Sequence, residues 1–154
     1  MIPESKLIKS ELVIRDMVLP NEVTLTRKSL MRWLAISLGL ILPNESRRLL
    51  LDILEVIFSA HVQGEYPTTK DILSLLEQNT KQKPNPKAVY YHLLKLKEMV
   101  ILSRKKGRYY LGDGDGKRLP DLLKEIYLKK TKVAFFNIEE ALKKLEESYK
   151  NSIN

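Results

Sequence analysis

The structural signals between residues 85 and 111 constrain the fold of this chain most strongly. Asn85 is a good N-cap, Pro86 suits the first position of a helix, and no Gly or Pro interrupts the residues that follow. The pattern predicts a helix from Pro86 to about Met99. Its apolar stripe consists of Val89, Leu93, Leu96 and Val100. Two runs of strand formers, residues 101–104 and 108–111, then flank Lys105-Lys106-Gly107, so we expect a β-hairpin directly after the helix.

The same segment carries the whole net charge of the protein. Residues 81–111 contain nine basic side chains and one acidic side chain, a surplus equal to the formal net charge of +8 of all 154 residues. The remaining residues are balanced, with eighteen basic and eighteen acidic side chains. The nine basic residues are Lys81, Lys83, Lys87, Lys95, Lys97, Arg104, Lys105, Lys106 and Arg108. A surplus this localised is typical of a surface that binds a polyanion.

We predict that residues 1–43 form an N-terminal extension with two parts. Glu11–Val18 and Glu22–Thr26 are candidate short strands around a turn at Pro20-Asn21. A helix over Arg27–Leu42 follows, and its apolar residues are spread round most of its circumference. Such a helix must be buried, either in its own subunit or against a second one.

Two further helices are predicted between this extension and the basic segment. The first spans Glu45 to about Val62 and has Asn44 as its cap. The second is shorter and spans Thr69–Gln78, with a capping box formed by Thr68 and Asp71 at its start.

The resulting order is helix, turn, short helix, loop, helix and hairpin. With the sequence KAVYYHLLKLKEMVILSRKKGRYYL, it resembles the winged helix-turn-helix family, particularly prokaryotic transcriptional regulators. In that family a segment x-V-x-x-H/Y-L-x-x-L-x-x-x-G-L-I forms the recognition helix and the entry to the wing. The matching core positions here are Val89, Leu93, Leu96 and Ile101, whereas Met99-Val100 stands where members commonly have a Gly.

The resemblance implies a mainly α fold with a small β-hairpin wing (α+β). It places a DNA-binding domain at residues 44–116, with helices on both sides of it. The outward face of the recognition helix would enter the major groove of duplex DNA, and the wing would meet phosphates or the minor groove.

Candidate DNA-binding residues follow from this placement. On the helix they are Asn85, Lys87, Tyr91 and Lys95, and on the wing they are Arg104, Lys105, Lys106 and Arg108. Tyr90 and Tyr91 have an alternative role as a cover over the core. Thr68 and Thr69 would offer hydroxyls and a helix N-terminus to a phosphate, although capping explains them equally well.

Residues 117–154 predict a helical segment for assembly. Gly112–Lys117 has the spacing of neither a Walker loop nor an EF-hand, so it predicts a flexible hinge. A helix from Leu119 to about Lys130 follows it, and a capping box of Asn137 and Glu140 predicts a separate last helix. We expect a homodimer through Arg27–Leu42, the C-terminal helices or both; packing of the last helix on Arg27–Leu42 within one subunit is the alternative.

Composition narrows the class of protein further. The chain has no cysteine, its N-terminus lacks the apolar run of a signal peptide, and its most hydrophobic run, Leu30–Leu42, is shorter than the roughly 20 residues that cross a bilayer. These features indicate a cytoplasmic protein without membrane contact. His61 and His92 lie on separate predicted helices, so we expect no metal site, no cofactor and no enzymatic activity.

The sequence therefore predicts sequence-specific binding of duplex DNA, by a regulator of transcription that forms a dimer. Two alternatives remain open. One is a winged-helix interaction subunit that docks protein partners within a larger assembly. The other is an RNA-binding protein, because tyrosines beside lysines stack on unpaired bases.

Overall fold

The structure, a computed structural model, describes residues 2–45 and 47–152 and is mainly helical, with one two-stranded antiparallel sheet. Within these residues the elements are α1 (Arg27–Ser37), α2 (Arg48–Val62), α3 (Thr69–Thr80), α4 (Pro86–Glu98), β1 (Leu102–Lys105), β2 (Arg108–Leu111) and α5 (Leu119–Ser152). Two short 3-10 helices, Pro3–Leu7 and Asn21–Leu25, precede α1. In the described part of the chain, no helix combines the length and apolar character needed to span a bilayer.

The prediction of two short strands in the N-terminal extension is wrong. Residues 8–20 form no strand, and Asn21–Leu25 is a 3-10 helix. The segment is tied to α1 instead: the Arg15 amide donates to the Ser37 carbonyl at 2.8 Å, and the Trp33 indole N–H donates to the Val18 carbonyl at 2.7 Å. An isolated two-stranded hairpin is marginal in water, so these bonds to a helix are the more stable arrangement.

Helix α1 ends at Ser37, earlier than the predicted Leu42. Gly39 has φ +70° and closes a Schellman motif, in which its amide donates to Ile36 and the Leu40 amide donates to Ala35. A Cβ at this glycine would lie 2.5 Å from Val13 Cβ, so the site has no room for another side chain.

Helix α2 is the centre of the core. It contacts α1, α3, α4 and β2, and seven of its residues are buried, namely Leu50, Ile53, Leu54, Val56, Ile57, Phe58 and Ala60. It begins at Arg48 rather than Glu45, because the Glu45 amide is bonded back to the Leu42 carbonyl in a turn. Asn44 therefore does not cap it.

The capping box of α3 is confirmed. The Asp71 amide donates to Thr68 Oγ1 at 3.1 Å, and the Thr68 amide donates to Asp71 Oδ2 at 3.0 Å. The helix ends at Thr80, two residues beyond the predicted end.

Helix α4 and the hairpin are confirmed to within one residue at their ends. Asn85 caps α4, and Val89, Leu93 and Leu96 are fully buried. Val100 departs from the predicted stripe: it is 59% exposed and has φ +63°. Strands β1 and β2 pair from Leu102 with Leu111 to Lys105 with Arg108, which leaves Lys106 and Gly107, both at positive φ, as a two-residue turn.

Helix α5 is a single helix of 34 residues, so the second capping box at Asn137 and Glu140 is wrong. No Gly or Pro lies between Asp121 and Ser152, and without a breaker an Asn is accommodated inside a helix. Its first turns pack on the core, where the Tyr127 hydroxyl donates to the Leu38 carbonyl at 2.8 Å. Residues 132–152 are exposed throughout, so the last helix does not pack on α1 within the subunit.

Candidate nucleic-acid interface

All nine basic side chains of residues 81–111 are exposed. Glu98 is the one acidic residue in this segment, and it pairs with Lys95 at 3.4 Å. Within residues 2–45 and 47–152, this is the only ion pair that any of the nine makes. The described residues therefore leave eight of these nine charges without an ion-pair partner.

The outward face of α4 combines lysines with aromatic rings. Tyr90 and Tyr91 are about half exposed, at 53% and 50%, so they lie on the solvent side rather than within the core. Lys95 Nζ lies 5.7 Å from the centre of the Tyr91 ring. Cation and ring together present a flat, positively charged surface.

Histidine His92 borders this face and is half buried. Its ring meets Tyr91 edge-on, with 5.4 Å between ring centres. Burial, and then the positive charge of Arg47, lowers the pKa of His92 from its usual value of 6.5. The imidazole is therefore neutral at pH 7 and adds no charge to the surface.

The hairpin carries four of the cations, and they differ in their internal contacts. Lys105 Nζ donates to the Asp113 carbonyl at 2.6 Å, and Arg108 donates to the Tyr66 carbonyl at 2.8 Å. Arg104 lies over the Tyr109 ring, with 5.3 Å between Cζ and the ring centre. Lys106 occupies the turn and makes no side-chain hydrogen bond or ion pair to the described residues. It is the cation of the hairpin most available to an outside anion.

The turn end of strand β2 is fixed to the segment before α3. The Tyr109 amide donates to the Pro67 carbonyl at 2.8 Å, and Arg108 forms an isolated antiparallel bridge with Thr68. On the outer side, the rings of Tyr66 and Tyr110 stack with 4.4 Å between centres. These tyrosines were missed by the sequence reasoning, although the alternation in Arg108–Leu111 already predicts that Tyr109 and Tyr110 face opposite sides of the strand.

The two threonines at the start of α3 are occupied in contacts within the protein. Thr69 is buried, and its hydroxyl donates to the Tyr109 hydroxyl oxygen at 3.3 Å. Thr68 is occupied in the capping box, and its hydrogen bonds lower the pKa of Asp71. A charged carboxylate therefore already holds the N-terminus of α3 and would repel a phosphate.

Asn85 also has a structural role. Its Oδ1 accepts the Lys87 amide at 3.0 Å, while the side chain remains exposed. The Nδ2 amino group of the exposed Asn85 side chain therefore remains available as a hydrogen-bond donor.

The loop after the hairpin, predicted as a flexible hinge, makes specific contacts. Lys117 pairs with Asp115 at 3.1 Å and with Glu125, and the pairing with Glu125 is the main cause of its raised pKa. The His61 Nε2–H donates to the Lys117 carbonyl at 2.6 Å. This loop is therefore anchored to both α2 and α5.

The surface formed by α4 and the hairpin presents ammonium and guanidinium donors together with exposed tyrosine rings. These are the groups with which proteins contact phosphate oxygens and bases. Comparison of the chain with models of protein families, with curated proteins and with solved structures gave no match.

Proposed function

We propose that this protein binds duplex DNA sequence-specifically and regulates transcription as a winged helix-turn-helix homodimer. The observation that carries the proposal is the exposed basic segment, whose nine cations make a single ion pair among the described residues. A charge surplus left unneutralised by the protein is what counterion release from a phosphate backbone requires.

The architecture supports the same class of protein. Helices α2, α3 and α4 are followed directly by the hairpin, and α4 contacts β1. Val100 stands where the winged-helix pattern commonly has Gly, and its backbone has the left-handed conformation that Gly favours. The chain thus departs from the family pattern in residue type, whereas its backbone has the conformation that a Gly there would favour.

The proposed mode of binding places α4 in the major groove. A helix with its side chains is about 10–12 Å wide, and the groove is about 12 Å wide. Lys87, Tyr91 and Lys95 then face base edges, whereas Lys106 meets the phosphate backbone. No covalent chemistry takes place; occupancy of the site is the whole mechanism.

The test is the salt dependence of binding to a fluorescent duplex, followed by anisotropy. Log K should fall linearly with log salt, by about 0.9 for each phosphate neutralised. Lys106→Ala should reduce that slope by about one per protomer, whereas Lys87→Ala should cost about 1–3 kcal/mol of binding and relax the preference for the base that Lys87 contacts. The matched control is Lys143→Ala with Lys144→Ala on the far half of α5, which removes two charges and should leave the slope unchanged. A slope that responds equally to both sets would contradict the proposal.

RNA is the second candidate, because Tyr90 and Tyr91 expose half of their rings beside lysines. Such rings stack on unpaired bases. Competition of the labelled duplex against single-stranded RNA of equal length separates the two. Displacement by RNA at lower concentrations than by unlabelled duplex would favour RNA.

A further inference from the structure

The projecting half of α5, residues 132–152, together with Leu128 just before it, carries an apolar stripe on which no described residue packs. Its members recur at alternating intervals of three and four residues, with Thr131 filling one position, and the large ones are 45–63% exposed. They are Leu128, Phe135, Ile138, Leu142, Leu145 and Tyr149. An alternating interval of this kind is the seam of a coiled coil, because it keeps one face of the helix towards a partner helix.

The two flanks of this stripe differ in character. One flank holds small residues at every seventh position, namely Ala134, Ala141 and Ser148. The other flank holds charged residues at the same interval, namely Lys132, Glu139 and Glu146. Small side chains on one flank allow two helix backbones to approach closely. The charged residues of the other flank then determine how two paired helices align.

We propose that the stripe pairs with the same stripe of a second copy of this chain, in antiparallel orientation. The contact is the dimer contact of the proposed function and rests on that proposal for its role on DNA. In the alignment with the longest overlap, Phe135 packs on Leu145 of the partner subunit and Ile138 packs on Leu142 of the partner subunit. The twofold axis passes beside Ala141.

Charge complementarity selects the antiparallel orientation. In it, Lys132 lies beside Glu146 of the partner subunit at both ends of the pair, because like flanks face each other. Glu146 also forms an ion pair with Lys150 on its own helix at 3.3 Å. A carboxylate has two oxygens, so it can pair with Lys150 and with Lys132 of the partner subunit at the same time. Glu139 meets its own symmetry copy at the centre, a single repulsive contact against two attractive ones. In a parallel pair each charged residue would face the Ala and Ser flank, with no charge matched.

The stripe is continuous with an uncovered groove on the body of the molecule. This groove has a volume of about 1090 Å³ and lies between α1, α2 and the first turns of α5. Leu30, Trp33, Phe58 and Leu123 line it, and so does Leu128, the first member of the stripe. In the proposed alignment the C-terminal end of the partner's helix reaches Leu128 and therefore covers this end of the groove.

Cysteine cross-linking of the full chain tests the orientation, since the natural sequence contains no cysteine. Ala141→Cys places two thiols beside the twofold axis, so a short bismaleimide should convert most of the protein to covalent dimer. Ala134→Cys, on the same flank, places the thiols about 21 Å apart along the helices and should give at least about tenfold less dimer. Equal cross-linking of both variants would indicate a parallel pair, and no cross-linking of either would exclude the contact; either result overturns the proposal.

Charge reversal tests the pairing without cross-linking or DNA. Lys132→Glu and Glu146→Lys should each weaken the homodimer by about tenfold in sedimentation equilibrium, because each converts two attractive contacts into repulsive ones. An equimolar mixture of the two variants should form a heterodimer of wild-type affinity, since both contacts are restored in it. Failure of the mixture to pair would overturn the antiparallel alignment. A dimer that passes both tests but does not bind duplex would overturn the proposed function alone.

Discussion

At the scale of single residues, Val100 is the most informative position. Its backbone lies in the left-handed region at φ +63°, and its amide and that of Ile101 donate to Lys97 and Leu96 in a Schellman motif. A β-branched residue is unfavourable there, because Cβ crowds the backbone. The side chain is mostly exposed, so it recovers little of this cost by burial.

Val100→Gly should therefore stabilise the protein by about 1 kcal/mol, since glycine adopts this conformation without strain. Thermal unfolding followed by circular dichroism measures the change. Val100→Ala, which keeps a Cβ at the same φ, is the matched control and should gain much less. Equal gains from both variants would place the cause in the side chain rather than in the backbone.

His92 gives the protein a pH dependence with a defined sign. Its pKa in the folded protein is lowered by burial, so the unfolded chain binds more protons between that pKa and about 6.5. Stability should hold above pH about 6.5 and fall as the pH is lowered below it. Urea unfolding across this window should show a flatter profile for His92→Gln. His61→Gln keeps His92, and its profile should fall as that of the wild type does.

At the scale of elements, the junction between the hairpin and α5 depends on close packing at Gly112. A Cβ there would lie 2.6 Å from Leu122 Cδ1, whereas a Cβ at Gly116 would meet nothing within 4 Å. Both glycines have positive φ, at +63° and +74°, so the same substitution imposes a similar backbone cost at each.

Gly112→Ala should therefore destabilise the protein by about 1–3 kcal/mol more than Gly116→Ala, because only the first overpacks the core. Chemical denaturation gives both values. Equal losses would show that the backbone conformation alone limits these positions.

Elements with local signals were predictable from the sequence, and those fixed by distant contacts were not. The caps at Asn85 and at Thr68 with Asp71 act on the adjacent turn, so α3 and α4 start where predicted. The N-terminal segment follows α1 because of bonds such as that of Arg15 to Ser37, which no local pattern encodes. The capping box at Asn137 failed for the opposite reason, since a local signal was present without a break in the helix.

The candidate interface shows the same division. The charge surplus and the outward face of α4 follow from composition and helical spacing, which need no tertiary information. The burial of Thr69 depends on its contact with Tyr109, 40 residues away in sequence, which no local pattern encodes. Lys105 and Lys106 likewise differ through a tertiary contact, because the Lys105 side chain donates to the Asp113 carbonyl and the Lys106 side chain makes no hydrogen bond to the described residues.

At the scale of the whole molecule, residues 132–152 of α5 lie outside the core. Residues 132–152 are exposed throughout and contain four lysines and four glutamates. A chain that ends at Thr131 should unfold cooperatively, because the core is complete without the projecting segment, and it should keep the net charge of +8.

The proposed dimerisation through residues 132–152 predicts a second difference between the full and the shortened chain. The melting temperature of the full chain should rise with protein concentration, since the folded state alone pairs, whereas that of the shortened chain should not. Differential scanning calorimetry over a wide concentration range tests this. Concentration dependence in the shortened chain would place the contact on α1 instead.

In the proposed dimer, the electroneutral projection of α5 would let the separation of the two subunits change without altering the proposed base contacts. In the antiparallel pair the two Leu128 residues are about 36 Å apart, close to one turn of DNA. Insertion of seven residues preserves the seam and lengthens that separation by about 10.5 Å, whereas insertion of five rotates the seam away from its mate. Under the proposed function, the spacing of the two half-sites would therefore change in discrete steps, independently of the residues of α4 proposed to contact bases.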